Sequence, residues 1–97
     1  MAINTLIPWV TKPLLENDRL NVYEFAAKPG EKTEMHQHPD YLVYPLTDSL
    51  IRFTFEGGRT EEVRFRIGEP RFRSGHAHIV ENIGDEEARV LVIDLKK

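Results

Sequence analysis

Cysteine is absent from the 97 residues of this chain, which excludes disulfide bridges, thiolate metal sites and a cysteine nucleophile. An excess of positive charge is also absent, because thirteen Lys and Arg stand against sixteen Asp and Glu, for a formal net charge of -3. Without a surplus of basic residues the chain lacks the usual attraction to phosphate backbones, so we expect no nucleic-acid partner. Any metal site must be built from histidines and carboxylates.

Long apolar runs are missing as well, and none approaches the roughly 18 to 20 residues that a membrane-spanning helix needs. Near the N-terminus, Pro8, Lys12 and Pro13 interrupt the best apolar stretch, and no basic segment precedes it. These features are unlike a signal peptide, so we expect no membrane partner and a cytoplasmic location. The length fits one domain, since a second would leave too little chain for either core.

The chain also lacks a helical pattern of apolar residues. Apolar residues instead recur close to every second position along most of the chain, which is typical of strands. Segments 51–56 and 59–67 alternate on either side of Gly57-Gly58, which is typical of a β-hairpin. We expect seven or eight short strands in an all-β sandwich or jelly-roll barrel. The barrel domain covers residues 20–97, and residues 1–19 form an N-terminal arm.

Three of the four histidines carry the candidate chemistry. His36 and His38 are two residues apart, and on a strand this spacing points both imidazoles to the same face. His78 lies forty residues further along on another predicted strand, and a closed or folded-over sheet can bring it to the same point. Neutral imidazoles bind Zn, Fe, Cu or Ni and leave positions open for water or substrate. The alternative is that His36 and His38 are surface histidines.

Two segments resemble the two sequence motifs of the cupin family. Residues 30–38 (GEKTEMHQH) have the Gly, the five intervening residues and the His-x-His of the first motif, and residues 73–82 (RSGHAHIVEN) have the Gly, His and Asn of the second. The resemblance implies a cupin-type double-stranded β-helix with His36, His38 and His78 as ligands of a divalent transition metal. The chain looks closest to small single-domain cupins linked with β-alanine or polyamine degradation.

One departure from the first motif affects the expected ligand set. The motif places a Glu four residues after the second His, and this chain has Leu42 there, which leaves a three-His set with a vacant fourth position. Without a carboxylate, Fe, Zn, Ni or Cu is favoured over a harder cation such as Mn. The alternative is a cupin that has lost its metal and keeps these histidines as polar pocket residues. His76 is interpreted as a turn residue. The other interpretations are an alternative metal ligand or a base that lies behind the metal ligands.

Two further residues are candidates for catalytic roles. If Leu42 faces the metal, strand alternation puts Tyr44 on the same face, where its hydroxyl would bind substrate or position a metal-bound water. Core packing is the other interpretation of Tyr44. Glu34 shares the parity of His36 and His38 and is a candidate for the missing carboxylate, although exposure is commoner for a Glu near a strand start.

These expectations combine into two functional hypotheses. The first is a metal-dependent cupin enzyme that acts on a small polar molecule, and its three-His set resembles the iron centres of cupin thiol and diketone dioxygenases. The second is a non-catalytic cupin that binds a small ligand as a sensing or accessory module.

The N-terminal arm suggests a homodimer in which a partner subunit covers its apolar residues. Those residues are Ile3, Leu6, Ile7, Trp9, Val10, Leu14 and Leu15. The alternative is that the arm packs on its own barrel.

Overall fold

A computed structural model describes residues 5–96, in which the chain forms eleven β-strands and no helix. The strands are β1 (Thr5–Leu6), β2 (Lys12–Glu16), β3 (Leu20–Ala27), β4 (Glu31–Lys32), β5 (His36–His38), β6 (Tyr41–Pro45), β7 (Ser49–Phe55), β8 (Thr60–Phe65), β9 (Arg71–Arg73), β10 (His76–Asn82) and β11 (Ala88–Leu95). The predicted all-β class is confirmed. Within this range no helix exists that is long and apolar enough to cross a membrane.

The strands form two sheets. The first has the order β1-β4-β10-β7-β8, with β5 also paired to β10, and the second has the order β2-β3-β11-β6-β9. Pairing is antiparallel except between β1 and β4. The described part of the N-terminal arm joins both sheets, because β1 lies beside β4 and β2 lies beside β3. At least this part of the arm therefore packs on its own barrel.

Alternation along the strands builds the core between the two sheets. On β3, Tyr23, Phe25 and Ala27 are buried while the residues between them are only partly covered, because successive side chains on a strand point to opposite faces. On β7 the same alternation buries Ile51 and Phe53. Among the described residues, the buried apolar core consists of Tyr23, Phe25, Ala27, Tyr41, Val43, Ile51, Phe53, Val63, Phe65, Ala88, Val90 and Val92.

The predicted hairpin is formed by β7 and β8. Its register runs from the pair Ser49 with Phe65 to the pair Thr54 with Thr60. Gly57 and Gly58 in the connecting turn have φ values of +90° and +93°, a region that residues with a Cβ rarely adopt. The Gly pair therefore makes the turn, as the sequence predicted.

A fully buried amide links the two sheets. Asn82 at the end of β10 is 0% exposed, and its Nδ2 donates to the carbonyl oxygens of Ala27 at 2.9 Å and Glu86 at 2.8 Å. Its Oδ1 accepts from the backbone N–H of Gly84 at 2.9 Å. Since Ala27 belongs to β3 in the other sheet, Asn82 fixes the distance between the sheets while satisfying its own polar atoms.

Candidate metal centre

Strand register brings the three predicted ligand histidines together. His36 and His38 are the first and last residues of β5, and β10 pairs with this strand so that His78 lies opposite His36. Directly opposite residues of an antiparallel pair share a face. All three side chains are buried, and one ring nitrogen of each lies within 4.8 Å of those of the other two. The cluster predicted from spacing and motifs is confirmed in its placement.

The hydrogen bonds of His36 and His38 determine which ring nitrogen each presents to the cluster. The Nδ1 of His36 lies 2.9 Å from the backbone carbonyl oxygen of Glu34, and the Nδ1 of His38 lies 3.0 Å from Oδ1 of Asp94. A carbonyl or carboxylate oxygen only accepts, so in its neutral form, which is the form that binds metal ions, each ring carries its hydrogen on Nδ1 and a lone pair on Nε2. Both lone pairs therefore face the inside of the cluster.

The two Nε2 atoms of His36 and His38 are 3.0 Å apart. Two lone pairs at this distance repel each other unless a proton or a metal ion lies between them. Metal–nitrogen bonds of about 2.0–2.1 Å place neighbouring imidazole ligands roughly 2.9–3.3 Å apart. The observed distance therefore fits two ligands of one metal ion.

His78 provides the third nitrogen. Its Nε2 is buried and has no hydrogen-bond partner among the described residues, whereas its Nδ1 lies 2.7 Å from Nε2 of His76. An unpaired buried polar atom costs about 1–3 kcal/mol. A metal ion held jointly with His36 and His38 would remove this cost.

The protonation of the cluster suits metal binding. Burial lowers the pKa of His36 to about 4. Burial, followed by the neighbouring imidazoles of His38, His36 and His76, lowers the pKa of His78 to about 2. At neutral pH both rings are therefore unprotonated, which is the form that binds metal ions.

Three residues around the histidines were not identified from the sequence. Trp9 stacks on His36 with ring centroids 4.5 Å apart and planes within 2°. The hydroxyl of Tyr23 lies 3.4 Å from Nδ1 of His38, and burial together with the adjacent Asp94 carboxylate raises the pKa of this phenol. The available signal for Asp94 was a lone carboxylate in the otherwise apolar end of the last strand, residues 90–95.

The histidines line a cavity inside the barrel with a volume of about 40 Å³. Its other walls are mainly aromatic and aliphatic side chains from both sheets, including Phe25, Ile51 and Val92. A water molecule needs roughly 10–15 Å³ by this measure, so the cavity holds one ion with one or two waters or a very small ligand.

The expected orientation of β6 is wrong. Tyr41, Val43 and Pro45 point inward and are buried, whereas Leu42 is partly covered and Tyr44 is 40% exposed on the outer face. The turn at residues 39–40 separates β5 from β6, so the alternation of the histidine strand does not continue across it. Tyr41, not Leu42 or Tyr44, faces the histidines, and its ring stacks on His38 with centroids 4.5 Å apart.

The structure also places Glu34 outside the cluster. Its side chain is exposed, and its contact with the site is the backbone carbonyl that pairs with His36. Within residues 5–96 the metal-competent cluster consists of His36, His38 and His78, without a carboxylate. The geometry therefore does not bring either candidate catalytic residue, Tyr44 or Glu34, into the cavity.

A glycine permits the close approach that assembles the site. A Cβ on Gly75 would lie 2.7 Å from the carbonyl oxygen of His38 and 2.8 Å from the carbonyl carbon of Pro39. The Gly75 N–H donates to Oδ1 of Asp40 at 2.7 Å. Only a residue without a side chain fits here, immediately before β10 carries His78 to the cluster.

Comparison with solved structures shows the fold. A cupin domain from Bordetella pertussis Tohama I is 28% identical, with 100% of this chain and 99% of that chain covered and a TM-score of 0.83. A cupin family protein with a double-stranded β-helix fold from Methanocaldococcus jannaschii is 11% identical, with 88% and 77% covered and a TM-score of 0.70. The fold is therefore the cupin-type double-stranded β-helix, as predicted.

An enzyme also occurs among the similar structures. The DMSP lyase DddQ from Ruegeria pomeroyi DSS-3 is 26% identical, with a TM-score of 0.61, and the match covers 84% of this chain but 40% of the lyase. No protein-family model and no curated protein matches the sequence. These comparisons support the architecture that holds the three histidines.

Proposed function

We propose that the protein binds one divalent transition metal ion through the Nε2 atoms of His36, His38 and His78, and that this ion acts on a small polar molecule in the barrel cavity. The observation that carries the proposal is the hydrogen-bonding pattern of His36 and His38, which directs two lone pairs toward each other at 3.0 Å. The unpaired Nε2 of buried His78 supports it. A bound ion of this kind activates water or dioxygen, or polarises a substrate oxygen.

The donor set narrows the choice of metal. Three neutral imidazoles without a carboxylate favour Fe, Zn or Ni over Mg, Ca or Mn. The surrounding walls are largely apolar, which strengthens electrostatic interactions inside the cavity. We therefore expect a transition metal to be retained during purification in the absence of chelators.

Tyr41 is the side chain we assign to substrate orientation. Its hydroxyl is buried without a hydrogen-bond partner among the described residues, and the residue lines the cavity beside the histidines. Burial raises the pKa of Tyr41 to about 12, although the Arg73 guanidinium opposes this change. The phenol is therefore protonated at neutral pH and donates a hydrogen bond to a substrate oxygen.

The proposal also covers the class of reaction. An oxygenase follows from the resemblance to three-His dioxygenases, and lyase chemistry is worth testing because a DMSP lyase shares the fold. The resemblance to cupins linked with β-alanine or polyamine degradation stays a prediction and makes small amines and amino acids the first compounds to screen. The non-catalytic sensing or accessory module, which would bind a small ligand in the same cavity of about 40 Å³, is a second candidate.

The first test is elemental analysis of untagged protein purified without chelator, compared with the His78→Ala variant. Gln37→Ala is the matched control, because Gln37 lies between two of the ligand histidines but is exposed. We expect near-stoichiometric metal in the wild type and the control and a sharp loss in His78→Ala. Wild-type protein that stays metal-free after incubation with Fe(II), Zn and Ni would contradict the proposal.

A second measurement separates the enzyme from the binding module. Metal-loaded protein is screened for oxygen consumption or elimination products with small acids, amines and thiols, and in parallel for thermal stabilisation by the same compounds. Turnover that falls in Tyr41→Phe supports the enzyme and the assigned role of Tyr41. Stabilisation without turnover supports the sensing module.

A further inference from the structure

His76 is the one histidine of the four in this chain that lies outside the proposed ligand set, and it contacts His78 rather than lying in a turn. It begins β10, where it pairs with His38 in the register, and it is only partly buried. Its Nδ1 lies within hydrogen-bond distance of the backbone carbonyl oxygen of Ser74. Its Nε2 lies 2.7 Å from Nδ1 of His78.

These two contacts fix the direction of the hydrogen bonds. The Ser74 carbonyl oxygen can only accept, so Nδ1 of His76 carries the hydrogen. A neutral imidazole has one N–H, which leaves Nε2 of His76 as an acceptor. The hydrogen in its 2.7 Å contact must then belong to Nδ1 of His78, and the Nε2 of His78 keeps a lone pair.

We infer that His76 is the positioning residue of the third metal ligand, holding His78 in the tautomer and orientation that present its Nε2 to the ion. This inference rests on the proposed metal-binding function. His76 thus does for His78 what the Asp94 carboxylate does for His38 and the Glu34 carbonyl does for His36. Partners of this kind fix the ring orientation of a ligating histidine and raise its basicity.

The surroundings of His76 favour this role over the two other interpretations. As a direct ligand it would have to give up the contact between its Nε2 and His78, and it does not belong to the three-histidine cluster. As a mere turn residue it would not need a fixed ring, yet Phe55 packs edge-on against it with ring centroids 4.9 Å apart. Packing and the Ser74 hydrogen bond hold the acceptor nitrogen in place.

The test compares His76→Phe with His76→Gln, using Zn(II) alone as the probe and a competing chelator to measure its dissociation constant. Phe retains a ring but offers no acceptor, whereas the Gln side chain can place an acceptor oxygen near the position of the lost nitrogen. Loss of such a partner costs roughly ten- to one-hundred-fold in metal affinity. We expect this loss in His76→Phe and recovery of most of the affinity in His76→Gln.

A second readout does not depend on metal. In ¹⁵N NMR spectra of the metal-free wild type, we expect His78 to carry its hydrogen on Nδ1, and in His76→Phe we expect the hydrogen to move to Nε2. Equal Zn(II) affinity of wild type and His76→Phe would overturn the inference, as would a wild-type His78 protonated on Nε2. If His76→Phe does not fold, the wild-type spectrum decides.

These measurements separate failure of the inference from failure of the proposed function. Wild-type protein that binds no Zn(II), Fe(II) or Ni would remove the metal function, while the spectrum of His78 would still report its hydrogen-bond partner. Wild-type protein that binds metal but is insensitive to the acceptor at position 76 would leave the function standing and remove the role of His76.

Discussion

Asp94 offers the most direct perturbation of the metal centre that leaves its three ligands in place. Its Oδ1 lies 3.0 Å from Nδ1 of His38, and its side chain is 15% exposed. Removing the hydrogen-bond partner of a ligating histidine weakens metal binding roughly ten- to one-hundred-fold, equivalent to about 1.4–2.8 kcal/mol. We expect Asp94→Ala to raise the Zn(II) dissociation constant by this factor.

The substitution to Asn separates charge from orientation. Its amide oxygen still accepts from Nδ1 of His38 but carries no full charge, so Asp94→Asn should lose less affinity than Asp94→Ala. The Tyr23 hydroxyl lies 3.4 Å from the same nitrogen and can partly replace the carboxylate as an acceptor. Adding Tyr23→Phe to Asp94→Ala should therefore deepen the loss.

The assay is a Zn(II) titration against a chelator of known affinity, accompanied by thermal unfolding of the metal-free proteins to show that the fold is retained. The stacked Trp9 is the sole tryptophan of the chain and gives an independent fluorescence signal from the site. Asp85→Ala, which removes an exposed carboxylate from the turn before β11, is the control. A folded Asp94→Ala that binds Zn(II) as tightly as this control would refute the reasoning.

Three further predictions concern stability and assembly. Asn82→Ala loses one buried and two partly buried hydrogen bonds and should lower the free energy of unfolding by about 3 kcal/mol in urea titrations; a loss below about 1 kcal/mol would contradict this. Because burial holds the folded-state pKa of His36 at about 4 and of His78 at about 2, below the usual value near 6.5, protons bind preferentially to the unfolded chain. The free energy of unfolding of the metal-free protein should then fall as the pH falls from about 6.5 toward 4, by at most about 1.4 kcal/mol per group and pH unit. Melting temperatures that do not change between pH 7 and 5 would contradict this prediction. Leu14 and Leu15 on edge strand β2 are 47% and 55% exposed, so a homodimer is expected in light scattering, and the mass of a single chain would argue against it.

The histidine cluster could be predicted because its geometry is largely local. Side chains two residues apart on a strand point to the same face regardless of how the sheets pack. This rule alone predicts that His36 and His38 lie together. His78 came from the spacing of the second cupin motif, and the structure adds the reason, since register pairs it with His36. The hairpin around Gly57 and Gly58 was local in the same sense.

The contacts that orient the ligands could not be predicted in this way. Asp94 reaches His38 from β11 in the other sheet, and Trp9 reaches His36 from the N-terminal arm. Such contacts depend on how the two sheets are stacked and on the register of distant strands, which periodicity does not specify. For His76 the family pattern assigns no ligand, which agrees with its absence from the three-histidine cluster, but the contact with His78 appears only when both rings are placed.

The error at β6 changes the interpretation of the site. Counting along the first motif put Leu42 at the ligand position, whereas the inward residue nearest the histidines is Tyr41, stacked on His38. The aromatic ring of Tyr41, and not the aliphatic side chain of Leu42, therefore lies beside the cluster. The ring offers packing and a single hydroxyl in place of a carboxylate, so the donor set that we propose consists of the three imidazoles. The remaining coordination positions of an ion there would be open to water or substrate, and the Tyr41 hydroxyl is the hydrogen-bond donor that we propose for such a molecule.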